Sequence, residues 1–134
     1  MDEMTQVARR ILRDLRTFAV VGASPDAGRP SNGVMRTLLA RGYEVIPVRP
    51  GTEEVLGQTA FPTLEAVPTP VDVVDIFRRS DRAGAHVDEA IAIGAKAVWM
   101  QLGVIDHDAA DRARRAGLMV VMNRCPAIEL QKGA

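Results

Sequence analysis

Apolar residues recur along the chain in two spacings that alternate from one segment to the next. Uninterrupted apolar runs, such as residues 18–21, are typical of strands that are buried on both faces. Between these runs, apolar residues three or four positions apart, such as Val34, Met35, Leu38 and Leu39, are typical of amphipathic helices. This alternation predicts an α/β domain.

The runs predict five strands, at residues 18–21, 43–48, 71–77, 95–101 and 118–122. A first helix is predicted from the apolar positions 4, 7, 11, 12 and 15. Three later helices are expected to begin at the capping residues Ser31, Ser80 and Asp106 and to end at Gly42, Gly94 and Gly117. Residues 63–67 predict one capped helical turn, and Pro126 is expected to open a short final helix.

Strands alternating with helices predict a Rossmann-like, doubly wound, five-stranded parallel sheet with helices on both faces. We expect one domain at residues 17–134, with residues 1–16 forming a helix that packs on it. Ligands of such sheets bind beyond the carboxyl ends of the strands, where the strand order reverses. The residues that follow each strand are therefore the candidates for function.

Composition narrows the classes of partner. The chain has 134 residues, with seventeen Lys and Arg against seventeen Asp and Glu, so no overall field attracts nucleic acid or an anionic membrane. Its single cysteine cannot form an intrachain disulfide, and the sequence has no leader-like or membrane-length apolar segment. We expect a cytoplasmic protein that binds neither nucleic acid nor membranes.

The first strand is followed by a loop of small residues, 22–33, that leads directly into a helix N-terminus. Backbone amides in this setting favour anions, and Arg29 can add a charge-assisted grip on a phosphate. Neutral donors are available from Ser24, Ser31 and Asn32. The spacing is neither G-x-G-x-x-G nor a P-loop, so the context of strand, loop and helix carries the prediction of phosphate binding.

The second strand ends in Arg49 and Pro50, where an NAD site usually has a carboxylate for the ribose. An arginine there suits a phosphorylated ribose, as in NADP or coenzyme A. The other strand ends add an aromatic ring, guanidiniums, amides and a thiol to the same crevice, through Phe77, Arg78, Gln101, Gly103, Asn123, Arg124 and Cys125.

These strand ends, taken in order, resemble the small stand-alone CoA-binding proteins. The likeness rests on residues 20–24 with Arg29 and Pro30, and on residues 42–48, 75–79, 99–103 and 123–126. That family is similar to the Rossmann-like CoA-binding domain of the succinyl-CoA synthetase α subunit. The resemblance implies coenzyme A as cofactor, with its pyrophosphate bordered by Gly22, Ala23, Ser24, Arg29 and Ser31, its adenosine along Arg49 and Pro50, and the remainder lined by Phe77, Arg78, Gln101, Asn123, Arg124 and Cys125.

Arg49 departs from the family pattern, because related domains often carry asparagine before that proline. The synthetase also uses a phosphorylatable histidine from a second domain, which this chain lacks. His86 and His107 are expected to be solvated and away from the strand ends, and no spacing indicates a metal site. Asp75 is expected to be a paired structural carboxylate rather than a catalytic base.

Cys125 is the only plausible nucleophile, but nothing in the sequence activates it. It is either a small packed residue or a partner for a mixed disulfide with coenzyme A.

The function that these features predict is a non-catalytic module that binds coenzyme A or a short acyl-CoA, as a carrier, sensor or accessory subunit. It could associate with a protein partner or with further copies of itself. One alternative is a small NADP-dependent oxidoreductase, which would lack a Tyr-x-x-x-Lys pair because Tyr43 is the only tyrosine. Another is an interaction protein with a vestigial nucleotide crevice.

Overall fold

The computed structural model describes residues 1–133, so Ala134, the last residue of the predicted domain, lies outside the described residues. Five helices and seven strands follow one another along the chain as α1 (Glu3–Asp14), β1 (Thr17–Val21), α2 (Pro30–Ala40), β2 (Glu44–Val48), β3 (Glu54–Val55), β4 (Gln58–Thr59), β5 (Val73–Ile76), α3 (Ser80–Ala92), β6 (Ala97–Met100), α4 (His107–Arg115), β7 (Met119–Met122) and α5 (Pro126–Gln131).

Five strands form one parallel sheet in the order β2-β1-β5-β6-β7. The predicted α/β class, parallel sheet and five main strands are confirmed. The chain runs from β1 outward to β2 and then returns past β1 to β5, so the strand order reverses between β1 and β5. That reversal is the position at which doubly wound sheets bind ligands.

Alternating side chains along each strand build two separate core layers. Phe18, Val20 and Trp99 point to the face covered by α1, α2 and α5. Val98 and Met100 point to the other face, which α3 and α4 cover. The buried face of α4 consists of alanines, which let this helix lie close to the sheet, as the sequence predicts.

Two of the predicted helix caps are wrong. Ser31 and Ser80 lie inside the first turns of α2 and α3, whose capping positions are Arg29 and Arg79. Both hydroxyls bond to loops instead, because Ser31 Oγ accepts from the amide of Ser24 and Ser80 Oγ donates to the carbonyl of Gly103. Asp106 does cap α4, with its Oδ1 accepting from the Ala109 amide at 3.0 Å.

The segment between β2 and β5 contains a feature that the sequence did not predict. Its β3–β4 hairpin returns the chain to β2, where the Arg49 amide donates to the Phe61 carbonyl at 2.8 Å and the Phe61 amide donates to the Pro47 carbonyl at 3.0 Å. Residues 63–67 then form a single hydrogen-bonded turn, which Thr63 Oγ1 caps by accepting from the Ala66 amide at 3.2 Å. The result is that residues 62–64 lie beside the carboxyl end of β2.

No helix in the part of the chain that the structure describes combines the length and the hydropathy needed to cross a membrane.

Two aspartates near β5 have opposite electrostatic environments. Asp75 is fully buried, neither of its carboxylate oxygens has a hydrogen-bond partner within residues 1–133, and burial raises its pKa well above the usual value. The expected pairing of Asp75 is therefore not found. Burial also acts on Asp72, but the amides of Arg16 and Thr17, with Lys96 nearby, outweigh it and lower the pKa of this carboxyl.

Replacing Asp75 with asparagine should stabilise the protein at neutral pH. The folded-state pKa lies above the unfolded value of about 3.9, so the folded chain binds the proton more tightly and stability falls as pH rises through the folded pKa. Asp75→Asn should therefore increase the free energy of unfolding at pH 8, with a smaller gain near pH 4. Urea denaturation across this pH range measures the effect.

Asp72→Asn is the matched control with the opposite sign. The lowered pKa of Asp72 makes a contribution to stability that is lost as pH falls, so this variant should lose about 1 kcal/mol at pH 7 and less in acid. Equal destabilisation by Asp75→Asn at pH 4 and pH 8 would contradict our account of the buried carboxyl.

Candidate functional site

Two adjoining cavities lie at the carboxyl ends of the strands around the reversal point. The first cavity, of about 530 Å³, is lined by Gly22, Ser24, Pro25, Asp26, Arg29, Pro30, Ser31, Arg49, Phe77, Arg78, Arg79, Gln101, Leu102 and Val104. The second cavity, of about 560 Å³, is lined by Val21, Gly22, Ala23, Val48, Arg49, Pro50, Pro62, Thr63, Leu64, Arg78, His86 and Glu89. They share Gly22, Arg49 and Arg78, and each is large enough for a substantial part of a cofactor.

Gly22 permits the close approach of β1 and β5 between the cavities. Its φ is +83°, and a Cβ at this position would lie 2.3 Å from the carbonyl oxygen of Phe77. A larger residue would both strain the backbone and collide with the end of β5. Glycine therefore lets the two strands end side by side at the centre of the site.

The loop between β1 and α2 is held in place by its own side chains and by those of the first turn of α2. The Ser24 amide donates to Ser31 Oγ, the Asp26 amide donates to Ser24 Oγ, and the Gly28 amide donates to Asp26 Oδ1. Buried Asn32 donates from Nδ2 to the carbonyl of Ser24 at 2.9 Å, so it supports the loop and does not line either cavity. Several amides that the sequence suggested for anion binding are thus used within the loop.

Guanidinium groups dominate the charge of the site. Arg29 and Arg78 are exposed and Arg49 is half-buried, and within residues 1–133 none of the three forms an ion pair. Arg49 donates from Nη1 to the carbonyl of Ala23 at 3.3 Å, which ties the end of β2 to the loop after β1. Arg79 instead pairs with Asp81 at 3.2 Å. The walls therefore carry unbalanced positive charge in a chain whose net charge is zero.

Gln101 adds an uncompensated polar group to the first cavity. Its side chain is buried, and Oε1 has no hydrogen-bond partner in the described part of the chain. A buried amide oxygen without a donor is costly, so Gln101 favours a ligand that supplies one or that lets the amide reorient. Phe77 provides an aromatic surface in the same cavity.

Besides Asn32, four more predicted residues lie outside both cavities. Gly103 and Asn123 bond to each other, with the Gly103 amide donating to Asn123 Oδ1 at 2.8 Å. The side chain of Arg124 points towards α1 and α5, where it contacts Thr5, Asp2 and Glu129. Cys125 precedes α5 and is buried in the apolar layer beneath it. Its position is that of a packed residue.

Sequence reasoning missed the second wall of the site. His86 and Glu89 were not predicted there, yet both line the second cavity, and His86 Nδ1 is hydrogen-bonded to Glu89 Oε1. The expectation that His86 lies away from the strand ends is wrong. Residues 62–64 form the facing wall only because the hairpin returns the chain to β2. No local sequence pattern predicts this contact between the hairpin segment and β2. His107 lines neither cavity.

Comparison with known proteins places this chain in a family. Residues 16–131 match the family described as the CoA binding domain. The chain belongs to this family. The predicted resemblance to small CoA-binding proteins is therefore confirmed.

Relatives of two sizes share the domain. The chain is 33% identical over 117 residues to the uncharacterised protein YneT of Bacillus subtilis, covering 87% of each. It is 28% identical over 123 residues to an ADP-forming acetate–CoA ligase of Archaeoglobus fulgidus, covering 82% of this chain but only 18% of the ligase. A hypothetical protein from Pyrococcus horikoshii has the same fold, with a TM-score of 0.91 and 40% identity over 96% of this chain and 90% of its own.

The residues present fit coenzyme A chemically. The three guanidiniums that form no ion pair within residues 1–133 suit its phosphates, and the apolar walls suit its adenine. The oxygen of Gln101 that lacks a partner in the same residues suits an amide N–H such as those of its pantetheine arm. The loop and the strand ends supply these groups from separate elements.

Gly22→Ala tests the close approach of β1 and β5. We expect a loss of at least about 2 kcal/mol of stability, because alanine combines a positive φ with a collision against the Phe77 carbonyl. Thermal denaturation measures the change.

Gly33→Ala is the control, because Gly33 lies inside α2 and a Cβ there would meet only the end of Arg36 at 3.7 Å. Alanine should stabilise α2 by up to about 1 kcal/mol. Similar melting temperatures for the two variants would argue against a special role for Gly22.

Proposed function

We propose that this protein binds coenzyme A or a short acyl-CoA across the two cavities, as a binding module without catalytic activity of its own. The observation that carries the proposal is the convergence of Arg29, Arg49 and Arg78 on adjoining cavities with no carboxylate partner in residues 1–133. Guanidiniums in this arrangement favour a ligand with several phosphate groups. Membership of the CoA binding domain family supports coenzyme A as that ligand.

The arrangement of the cavities suggests how the parts of the ligand are divided. The pyrophosphate would lie near the shared residues Gly22 and Arg78, with Arg29 reaching it from the loop. The adenosine would follow Arg49 and Pro50 into the second cavity, whose Val48 and Leu64 offer apolar surface. The pantetheine arm would follow Phe77 and Gln101 in the first cavity.

A role as a carrier, sensor or accessory subunit is consistent with the size of the relatives. The chain corresponds to less than a fifth of the acetate–CoA ligase that it resembles, so most of that enzyme has no counterpart here. The NADP alternative retains one supporting observation, which is Arg49 on the wall of the second cavity. Tyr43 offers no hydride-site acid, because it is buried and its hydroxyl donates to the carbonyl of Leu12.

Calorimetric titration of coenzyme A into the protein tests the proposal. We expect binding by the unaltered chain and an affinity roughly tenfold or more weaker in Arg29→Gln and in Arg78→Gln, because a hydrogen bond to a charged group contributes about 1.5–3 kcal/mol. Arg10→Gln is the control, since Arg10 lies on α1 and lines neither cavity.

The possible outcomes distinguish a coenzyme A-binding module from an NADP-dependent oxidoreductase and from an interaction protein. Absence of binding at millimolar coenzyme A, or full affinity in both cavity variants, would overturn the proposed site. Tighter binding of NADP than of coenzyme A would favour the oxidoreductase. Failure to bind any nucleotide would favour an interaction protein whose crevice is vestigial.

A further inference from the structure

The His86–Glu89 pair on α3 forms a polar site within the second cavity that the strand-end motifs do not account for. The helix places the two side chains one turn apart, facing the cavity, while Ala83, Val87 and Ala90 face the core. The side chain of His86 is only 22% exposed, so the imidazole is partly withdrawn from water. It faces residues that come from β2 and from the segment after the hairpin.

Glu89 fixes the orientation of the imidazole. Its Oε1 contacts His86 Nδ1, which holds that nitrogen in its protonated form, and Nε2 has no hydrogen-bond partner within residues 1–133. The ring therefore carries one nitrogen that is used for positioning and one that is free. When both nitrogens are protonated, Nε2 becomes a hydrogen-bond donor.

The other charged groups of the second cavity make an anion the natural partner of Nε2. Arg49 and Arg78 are positive and have no carboxylate partner in the described chain, whereas Glu89 is already engaged with His86. A phosphate oxygen beside Nε2 would accept the hydrogen bond that the doubly protonated ring can donate. Apolar residues such as Val48 and Leu64 line the remaining wall and suit a nucleoside base.

We infer that His86 is a specificity-determining residue that contacts the 3′-phosphate on the adenosine ribose of coenzyme A, with Glu89 as its positioning residue. The inference rests on the proposed function. It explains how the site distinguishes a phosphorylated ribose from an unphosphorylated one, because the contact exists only with the phosphorylated ligand. Glu89 contributes by holding the ring in its orientation.

Coenzyme A and 3′-dephospho-coenzyme A form the ligand pair that tests this contact. In calorimetric titrations, His86→Gln should weaken the binding of coenzyme A about tenfold and change the binding of the dephospho form less than twofold. Glu89→Gln should weaken coenzyme A selectively but by a smaller factor. His107→Gln is the control, because His107 is exposed on α4 and lines neither cavity.

Nitrogen-15 NMR of the imidazoles supplies a readout independent of affinity. The chain contains only two histidines, so the His107→Gln spectrum assigns the resonances of His86. Saturating coenzyme A should shift the His86 Nε2 resonance because the 3′-phosphate contacts that nitrogen, whereas the dephospho form should leave it near its ligand-free position. Far-ultraviolet circular dichroism of each variant checks that α3 is retained.

Negative results would show whether the proposed function or only the role of His86 is wrong. If the unaltered chain binds no coenzyme A, the proposed function is overturned and the inference with it. If coenzyme A binds but His86→Gln weakens both ligands equally, or neither, only the assignment of His86 is overturned. An Nε2 shift of the same size with both ligands would likewise exclude a contact with the 3′-phosphate.

Discussion

The close approach of β1 and β5 at Gly22 and Phe77 is the constraint on which the site depends. Where a Cβ would project from Gly22, the structure has the carbonyl oxygen of Phe77. Beyond this contact the chain diverges, since β1 leads to α2 on one face of the sheet and β5 leads to α3 on the other. The crevice between the diverging segments is the site, and Gly22 belongs to the wall of both cavities.

The site is positively charged because other arginines of the chain are paired with carboxylates away from it. Arg112 pairs with Asp88, and Arg124 pairs with Asp2 and Glu129, so these cations are neutralised away from the crevice. Arg29 and Arg78, by contrast, have no carboxylate partner in the described chain. A protein without net charge can in this way present a locally positive surface, because a field near a cavity depends on the nearest charges rather than on their sum.

Polar groups without partners are concentrated beside the site. Asp75 lies on β5 and Gln101 directly follows the neighbouring strand β6, and within residues 1–133 both have buried oxygens without hydrogen-bond donors. Each opposes folding, because desolvation is not compensated. Near a candidate ligand site, residues that suit binding are expected even where they lower the stability of the fold. The internal hydrogen bonds of the loop after β1 make the adjoining part of the site rigid.

The sequence by itself determined the sheet and most of the crevice. Buried apolar runs and helical spacing specify strands and helices locally, and parallel strands necessarily bring Gly22, Arg49, Phe77, Arg78 and Gln101 to one edge. The directions of side chains were not determined in this way. Arg124 and Cys125 follow a strand end as Arg78 does, but their side chains are directed to the α1 and α5 side by contacts with distant residues.

Only the tertiary structure decided the second cavity. His86 and Glu89 are an ordinary pair on one helix face until the hairpin places residues 62–64 opposite them. It also decided that Ser31 supports a loop instead of capping α2, because a hydroxyl bonds to whichever amide folding brings within reach. Periodicity encodes which face of an element is buried, whereas the partner across a cavity depends on chain segments far apart in sequence.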